Sequence, residues 1–312
     1  MKILITGGAG FIGSHLVDHW IIKPEVEEVV VIDALYIGGD YKNLPVNNPK
    51  LKFYQEDLCD PCVLDIIEEH LPEYIFNLCS ETHVDRSIEN GMPFGMSNVI
   101  GTMNLLEALK KNKNLKKFLQ FSSDEVLGMR LEGQMYEGDP LTPRNPYSAT
   151  KASQELICDA YRITHGFPII ISRCSNCYGP RQLPEKLLPK LITNVLAGNK
   201  VPVYGKGDQI REWTYVKDTC RAIDIIVEKS NSGEIWHIGS NDERVNIDVI
   251  KEVITKLGKK PSKCIEYVPD RKAHDFRYSL NCDRLRATGW SPQYTFEEGI
   301  TETIAYYKGN LK

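Results

Sequence analysis

The stretch from Lys2 to Asp33 limits the fold more than any other part of the chain. A short apolar run, Lys2-Ile3-Leu4-Ile5-Thr6, meets Gly7-Gly8-Ala9-Gly10-Phe11-Ile12-Gly13; a helical pattern follows, then Glu28-Val29-Val30-Val31-Ile32-Asp33. This reads as strand, turn, helix, strand. Glycines 8, 10 and 13 fit G-x-G-x-x-G, and glycines 7, 10 and 13 fit the G-x-x-G-x-x-G variant. Without Cβ atoms the backbone can turn tightly and approach a pyrophosphate, which then rests on free N–H groups at the positive end of the helix. Asp33 closes the second strand, where a carboxylate accepts hydrogen bonds from an adenosine ribose and repels a 2′-phosphate. NAD is therefore expected over NADP.

At 312 residues the chain exceeds one average domain, so one large or two interleaved domains are expected. A net charge of −4 disfavours a nucleic-acid or anionic-membrane surface. No apolar run reaches bilayer length, and Met1-Lys2 leads straight into a strand rather than a signal peptide, so the expected location is cytoplasmic. The odd number of cysteines, nine, suits reduced thiols rather than a disulfide framework. Two Cys-x-x-Cys spacings, Cys59/Cys62 and Cys174/Cys177, could supply zinc ligands, but buried thiols are the expected reading and no metal site is assigned.

Apolar runs alternate with helical patterns along the first half. Strands are expected at Leu51 to Tyr54, Tyr74 to Leu78, Lys117 to Phe121 and Pro168 to Ser172, and helices at Pro61 to His70, Ser97 to Lys111 and Ser148 to His165. Strands of continuous apolar character in such an alternation predict an α/β fold, a Rossmann-type doubly wound parallel sheet covered on both faces. Ligands bind such sheets at the carboxyl ends of the strands. Those ends are Asp57-Leu58, Cys79-Ser80-Glu81-Thr82, Ser122-Ser123-Asp124-Glu125 and Cys174-Ser175-Asn176.

Two adjacent acids after two hydroxyl residues are unusual at the end of a buried strand. An environment that pushes two carboxyl pKa values apart lets one stay protonated as a general acid while the other serves as a base. Beyond them comes Tyr147-Ser148-Ala149-Thr150-Lys151. Positions four apart share a helix face, so the Lys151 ammonium is expected near the Tyr147 phenol, where a cation lowers the phenol pKa. That would make Tyr147 a base for a hydroxyl proton while hydride leaves the same carbon.

With these motifs the chain resembles the extended short-chain dehydrogenase/reductase family, and within it the nucleotide-sugar 4,6-dehydratases. The resemblance rests on TGGAGFIGS at 6 to 14, SETHVDRSI at 80 to 88, SSDEV at 122 to 126, YSATK at 147 to 151, SNCYGPRQLPEKLLP at 175 to 189, the segment from Pro202 to Arg211, and VPDRKAHDFRY at 268 to 278. It implies a cycle of C4 oxidation, loss of water across C5 and C6, and hydride return to C6. In it Tyr147 is the base at the 4-hydroxyl, Lys151 and Ser123 hold the oxygen, Glu125 removes the C5 proton and Asp124 protonates the departing 6-hydroxyl. It further implies that NAD meets Gly7, Gly10, Phe11, Ile12, Gly13, Asp33, Asp57, Leu58, Cys79, Ser80, Thr82, Asn98, Tyr147, Lys151 and Cys177. The sugar nucleotide would meet Thr82, Asn176, Glu185, Lys186, Leu187, Arg211, Asn246, Arg271 and His274. Ser123, Cys177, Arg181 and Lys272-Ala273 stand where the family usually carries Thr, Asn, Tyr and Pro-Gly.

The resulting division places an NAD-binding domain at 1–174 plus about 212–238, and a smaller, partly interleaved nucleotide-sugar domain at about 175–211 and 239–312. Trp213 to Asp218 and the helical pattern after it are expected to return to the first sheet. The apolar faces of the helices at Ser97 to Lys111 and Ser148 to His165 could pair with a second copy as a four-helix homodimer interface, packing within the monomer being the alternative. The substrate is expected to be UDP-glucose, dTDP-glucose or UDP-N-acetylglucosamine. Dehydration coupled to C5 epimerisation, a 4-epimerase, and a non-catalytic NAD-binding scaffold are the competing functions.

Overall fold

A computed structural model describes residues 1–270 and 274–310. In chain order its strands are β1 (Lys2–Thr6), β2 (Glu28–Ile32), β3 (Leu51–Tyr54), β4 (Tyr74–Asn77), β5 (Lys117–Ser123), β6 (Ile169–Cys174), β7 (Asn176–Tyr178), β8 (Val201–Tyr204), β9 (Ile210–Tyr215), β10 (Ile235–Ile238), β11 (Glu243–Val245) and β12 (Ile265–Val268). Seven of them form one parallel sheet in the order β10-β6-β5-β4-β1-β2-β3. The chain runs outward from β1 through β2 to β3, then resumes on the other side at β4. The strand order thus reverses beside β1, and the connecting turns part there to leave a crevice at the carboxyl ends.

Helices cover both faces. Phe11–Ile21 and Val216–Lys229 bury Leu16, Trp20, Ile223 and Ile226 on one, while Cys62–His70, Gly101–Leu109 and Pro146–His165 bury Val63, Ile67, Leu105 and Cys158 on the other. The Pro146–His165 helix shows why such elements start and stop where they do. Asn145 caps it in a reciprocal box with Ser148, Pro146 occupies its first turn, and Gly166 ends it in the left-handed region at φ +69°.

A second layer follows β6. Strands β11, β9 and β7 form a three-stranded sheet and β12 pairs with β8, around a core of Leu188, Trp213, Ile250 and Ile300. The expected return at Trp213 to Asp218 and the helix after it is corrected in its first three residues. Trp213 and Tyr215 lie in β9, which pairs with β7 and β11, and the return is made by the Val216–Lys229 helix and β10. Period-two apolar character cannot tell which of two sheets a strand joins.

The Ser97 to Lys111 helix begins as a wide π turn at Gly95–Ile100 and becomes regular at Gly101–Leu109. Strand β5 reaches Ser123, two residues past its expected end, so the hydroxyl pair belongs to the sheet itself. Among the described residues no helix is long and apolar enough to cross a membrane.

Candidate active site

The cradle is built from β1 outward. Gly7 sits at φ +66°, and a Cβ on Gly13 would press into the Gly7 carbonyl and to 2.8 Å from Gly8 Cα. The turn therefore closes only with hydrogen at both positions. The Phe11–Ile21 helix starts at Gly10 with no side-chain cap, which leaves its first N–H groups to a ligand. Ala9 and Leu35 N–H donate to the two Asp33 oxygens, each at 2.9 Å. Burial leaves the Asp33 pKa raised, and these N–H groups offset only part of that rise. Backbone N–H groups with no side chain in front of them, beside a fixed carboxylate, suit a dinucleotide with a free 2′-hydroxyl.

One continuous cleft runs from this cradle to the end of β5. Gly7, Gly10, Phe11, Ile12, Gly13 and Asp33 line one end, Cys79, Ser80 and Thr82 the middle, and Ser123, Asp124, Glu125, Tyr147, Lys151, Asn176, Cys177 and Lys186 the other. Residues from seven separated stretches of the chain thus converge in one place.

Asp124 is buried at 4 % exposure, and its Oδ2 has no hydrogen-bond partner among the described residues. Burial and the neighbouring Glu125 charge raise its pKa to about 8, so its carboxyl keeps a proton at neutral pH. Glu125 accepts from Asn145 Nδ2 at 3.0 Å. The Ser123 hydroxyl donates to Asp124 Oδ1 at 3.1 Å, accepts from Glu125 N–H at 3.2 Å and is hydrogen-bonded to the Tyr147 phenol. One carboxyl is thus held as an acid and its neighbour anchored by a carboxamide donor.

The expected cation-assisted phenol is corrected. Burial, then the Glu125 charge, push the Tyr147 pKa above its ordinary value, and Lys151 donates to the Phe121 carbonyl at 2.7 Å. Burial also lowers Lys151 to about 8. Tyr147 therefore keeps its proton in the protein alone.

Of the other expected residues, Lys186 lines the cleft and the rest of the described ones do not. Asp57 accepts from Cys59 N–H, and the Leu58 side chain is core. Buried Asn98 bridges both backbone groups of Glu81 and the Thr150 hydroxyl, which positions the loop after β4. Glu185 pairs with Arg86 at 3.1 Å, while Lys186 Nζ reaches the Thr82 carbonyl at 2.8 Å. Leu187 packs on the second core. Arg211 is buried over the Tyr278 ring and donates to the carbonyls of Ile210, Asp275 and Phe276. Asn246 has a buried Oδ1 with no partner among the described residues. His274 bonds Asp270 at 2.6 Å, and His83 caps the Val84–Glu89 helix. Arg181 adopts φ +65° and pairs with Asp18. Arg271, Lys272 and Ala273 lie outside the described residues. All nine cysteines are free, and among the described residues no group of three or more His, Cys, Asp or Glu could hold a metal.

The sequence reading missed Asn145, whose Asn-Pro helix-start signature precedes Tyr147 directly. It also missed Tyr36, Ile37 and Leu183, which line the cradle end of the cleft. Glu155 and Arg173 carry no such signal; they form a buried bidentate pair behind Lys151.

A parallel sheet with a strand-order reversal, a glycine cradle and an adjoining Tyr-x-x-x-Lys helix defines the class as an extended short-chain dehydrogenase/reductase. The family model described as GDP-mannose 4,6 dehydratase matches residues 4–303. The chain belongs to that family, among the nucleotide-sugar 4,6-dehydratases. It is 41% identical to the dTDP-glucose 4,6-dehydratase 1 of Escherichia coli K12, over 100% of this chain and 94% of that one. It is also 41% identical to the low-salt glycan biosynthesis protein Agl12 of Haloferax volcanii, over 99% of each. The dTDP-glucose 4,6-dehydratase DesIV of Streptomyces venezuelae, solved with NAD and TYD bound, superposes with a TM-score of 0.94 at 38% identity, covering 99% of this chain and 98% of that one.

Proposed function

We propose that this chain is an NAD-dependent nucleotide-sugar 4,6-dehydratase, a hydro-lyase that converts dTDP-glucose, UDP-glucose or UDP-N-acetylglucosamine to the 4-keto-6-deoxy sugar. The observation that carries the reading is Asp124, buried with an unpartnered Oδ2, beside Glu125 in the cleft that also holds Tyr147 and the glycine cradle. A 4-epimerisation has no use for an acid and a base placed for elimination.

The Gly7 to Gly13 turn, Asp33, Tyr147 and Lys151 would hold NAD. When bound, it supplies a hydride acceptor that later gives the hydride back and a positive ring that favours the phenolate. Tyr147, as phenolate, takes the proton of the sugar 4-hydroxyl, and Ser123 donates to the same oxygen as it becomes a ketone. The ketone acidifies the C5 proton, and Glu125 accepts it. Asp124 gives its proton to the departing 6-hydroxyl, the C6–O bond breaks, and water leaves. Glu125 then returns a proton to C5 of the reduced product. Lys186 lines the cleft, and the family resemblance would bring Glu185, Arg211 and Asn246 to the nucleotide as well; Asn246 Oδ1 has no partner among the described residues.

Homodimerisation belongs to the same reading. Met96, Ile100 and Met103 form an exposed apolar stripe beside exposed Leu156 and Ile163 of the Pro146–His165 helix, which suits a four-helix contact with a second copy in the cytoplasm.

The test is mass spectrometry of each of the three sugar nucleotides after incubation with the enzyme, repeated in deuterated water. A product lighter by one water with deuterium at C5 is expected, and NMR of that product reports its C5 configuration. A product of unchanged mass and inverted C4 would establish the epimerase instead. No turnover of any of the three would leave the scaffold reading.

A further inference from the structure

The helix that carries Tyr147 and Lys151 is tied to the sheet by a buried acid that the proposed reaction does not use. Glu155 lies one turn beyond Lys151, on the same helix face, at 3 % exposure. Its Oε1 accepts from the Ser122 hydroxyl at 2.5 Å, and the Arg173 guanidinium grips both oxygens, with Nη2 to Oε2 at 2.8 Å. Ser122 and Arg173 are direct partners across β5 and β6. Phe121, whose carbonyl accepts from Lys151 Nζ, immediately precedes Ser122. One carboxylate therefore holds the helix to two adjacent strands at the level where Lys151 meets the sheet.

The charges give this contact a second effect. Lys151 is 3 % exposed and Arg173 2 %, so two cations share the interior with the Glu155 carboxylate. The titratable groups that face Lys151 are Glu155 and Cys158 of its own helix and Cys79 of the loop after β4. Arg173 of β6 is the cation behind Glu155. Burial drives Lys151 toward its neutral form, and Glu155 is the strongest group opposing it. We propose that Glu155 is a positioning residue that keeps Lys151 protonated and docked on the Phe121 carbonyl, and that Arg173 sets how much of the Glu155 charge Lys151 receives. A neutral Lys151 would hold the Phe121 carbonyl less firmly and leave the cleft that Tyr147 also lines without that fixed cation. The role rests on the dehydratase reading only for its importance to turnover; the charge coupling exists without substrate.

The coupling can be read directly on protein carrying 13Cε-labelled lysine, with the Lys151 resonance assigned by its absence in Lys151→Met. The titration midpoint of Lys151 is expected to fall by about one unit in Glu155→Gln and to rise by a similar amount in Arg173→Met, with Glu155→Asp close to the parent. Glu155→Gln/Arg173→Met should lie between the single variants. The pH at which C4 oxidation fails on the alkaline side should follow the midpoint, with KM little changed. Should Glu155→Gln fail to fold, Arg173→Met carries the test alone. An unchanged midpoint in a folded variant, or a shift in the same direction for both single variants, overturns the proposal and reduces the pair to a packing contact. Because the titration is read without turnover, a chain that proved not to be a dehydratase would leave this result standing.

Discussion

Asn145 donates its carboxamide N–H to Glu125 at 3.0 Å while its carboxamide oxygen caps the helix that begins with Tyr147. One side chain thus fixes Glu125, the proposed elimination base, and the start of the helix bearing Tyr147, the proposed oxidation base. Asn145→Ala should cost about 1 kcal/mol in denaturant unfolding through loss of the cap. It should slow deuterium incorporation at C5 more than C4 oxidation. Asn145→Asp keeps the cap but sets a like charge beside Glu125, so stability should survive where elimination does not.

The Asp124 carboxyl, raised to about 8 by burial and by Glu125, is an acid only while protonated. Water loss should therefore fall as pH rises through about 8, in a single-turnover assay that separates it from C4 oxidation. Asp124→Asn should abolish elimination at all pH values and leave oxidation measurable. The linkage to stability has the same sign. Between the ordinary carboxyl range and about 8 the native state holds a proton that the unfolded chain releases, so this group favours folding less as pH rises through that window.

Glu125→Gln retains the shape of the acceptor and removes its basicity. Reduced cofactor should accumulate, visible as near-ultraviolet absorbance, with water loss reduced at least about a hundredfold, the scale of a general base. Tyr147→Phe should eliminate both steps while the sugar nucleotide still binds, measured by calorimetry.

Gly13→Ala places a methyl against the Gly7 carbonyl and Gly8 Cα, both backbone and both part of the cradle. A loss of about 1–3 kcal/mol is expected from this overpacking. Bound cofactor should be lost on gel filtration, checked by the absorbance of the denatured supernatant.

Leu156→Glu puts a charge in the exposed stripe shared with Met96, Ile100 and Met103. Light scattering should report a dimer for the parent chain and a monomer for the variant, with the far-ultraviolet spectrum unchanged.

The βαβ start, the parallel sheet and the strand-end residues are legible because each depends on local spacing: glycines around a turn, apolar runs of strand length, hydroxyls and acids at a terminus. Tyr147 and Lys151 are legible as helix neighbours, but their electrostatics are not. The phenol proton is governed by how deeply the ring is buried and by Glu125, which is near only in space. Arg211 shows the same limit. A guanidinium in a diphosphate-matching position spends its donors on three backbone carbonyls, and no pattern along the chain announces them. No pattern along the chain pairs Glu155 with Arg173; they meet only because the Pro146–His165 helix packs on β5 and β6.

Ser123 touches Tyr147 and Asp124 at once. Over the proposed cycle the phenolate ends with one proton too many and the buried carboxyl with one too few, while every other group returns to its starting state. A hydroxyl that can pass a hydrogen from the first to the second restores both without recourse to bulk solvent. Threonine would do the same, so the serine found here keeps the relay intact and forgoes only the methyl that would stiffen it.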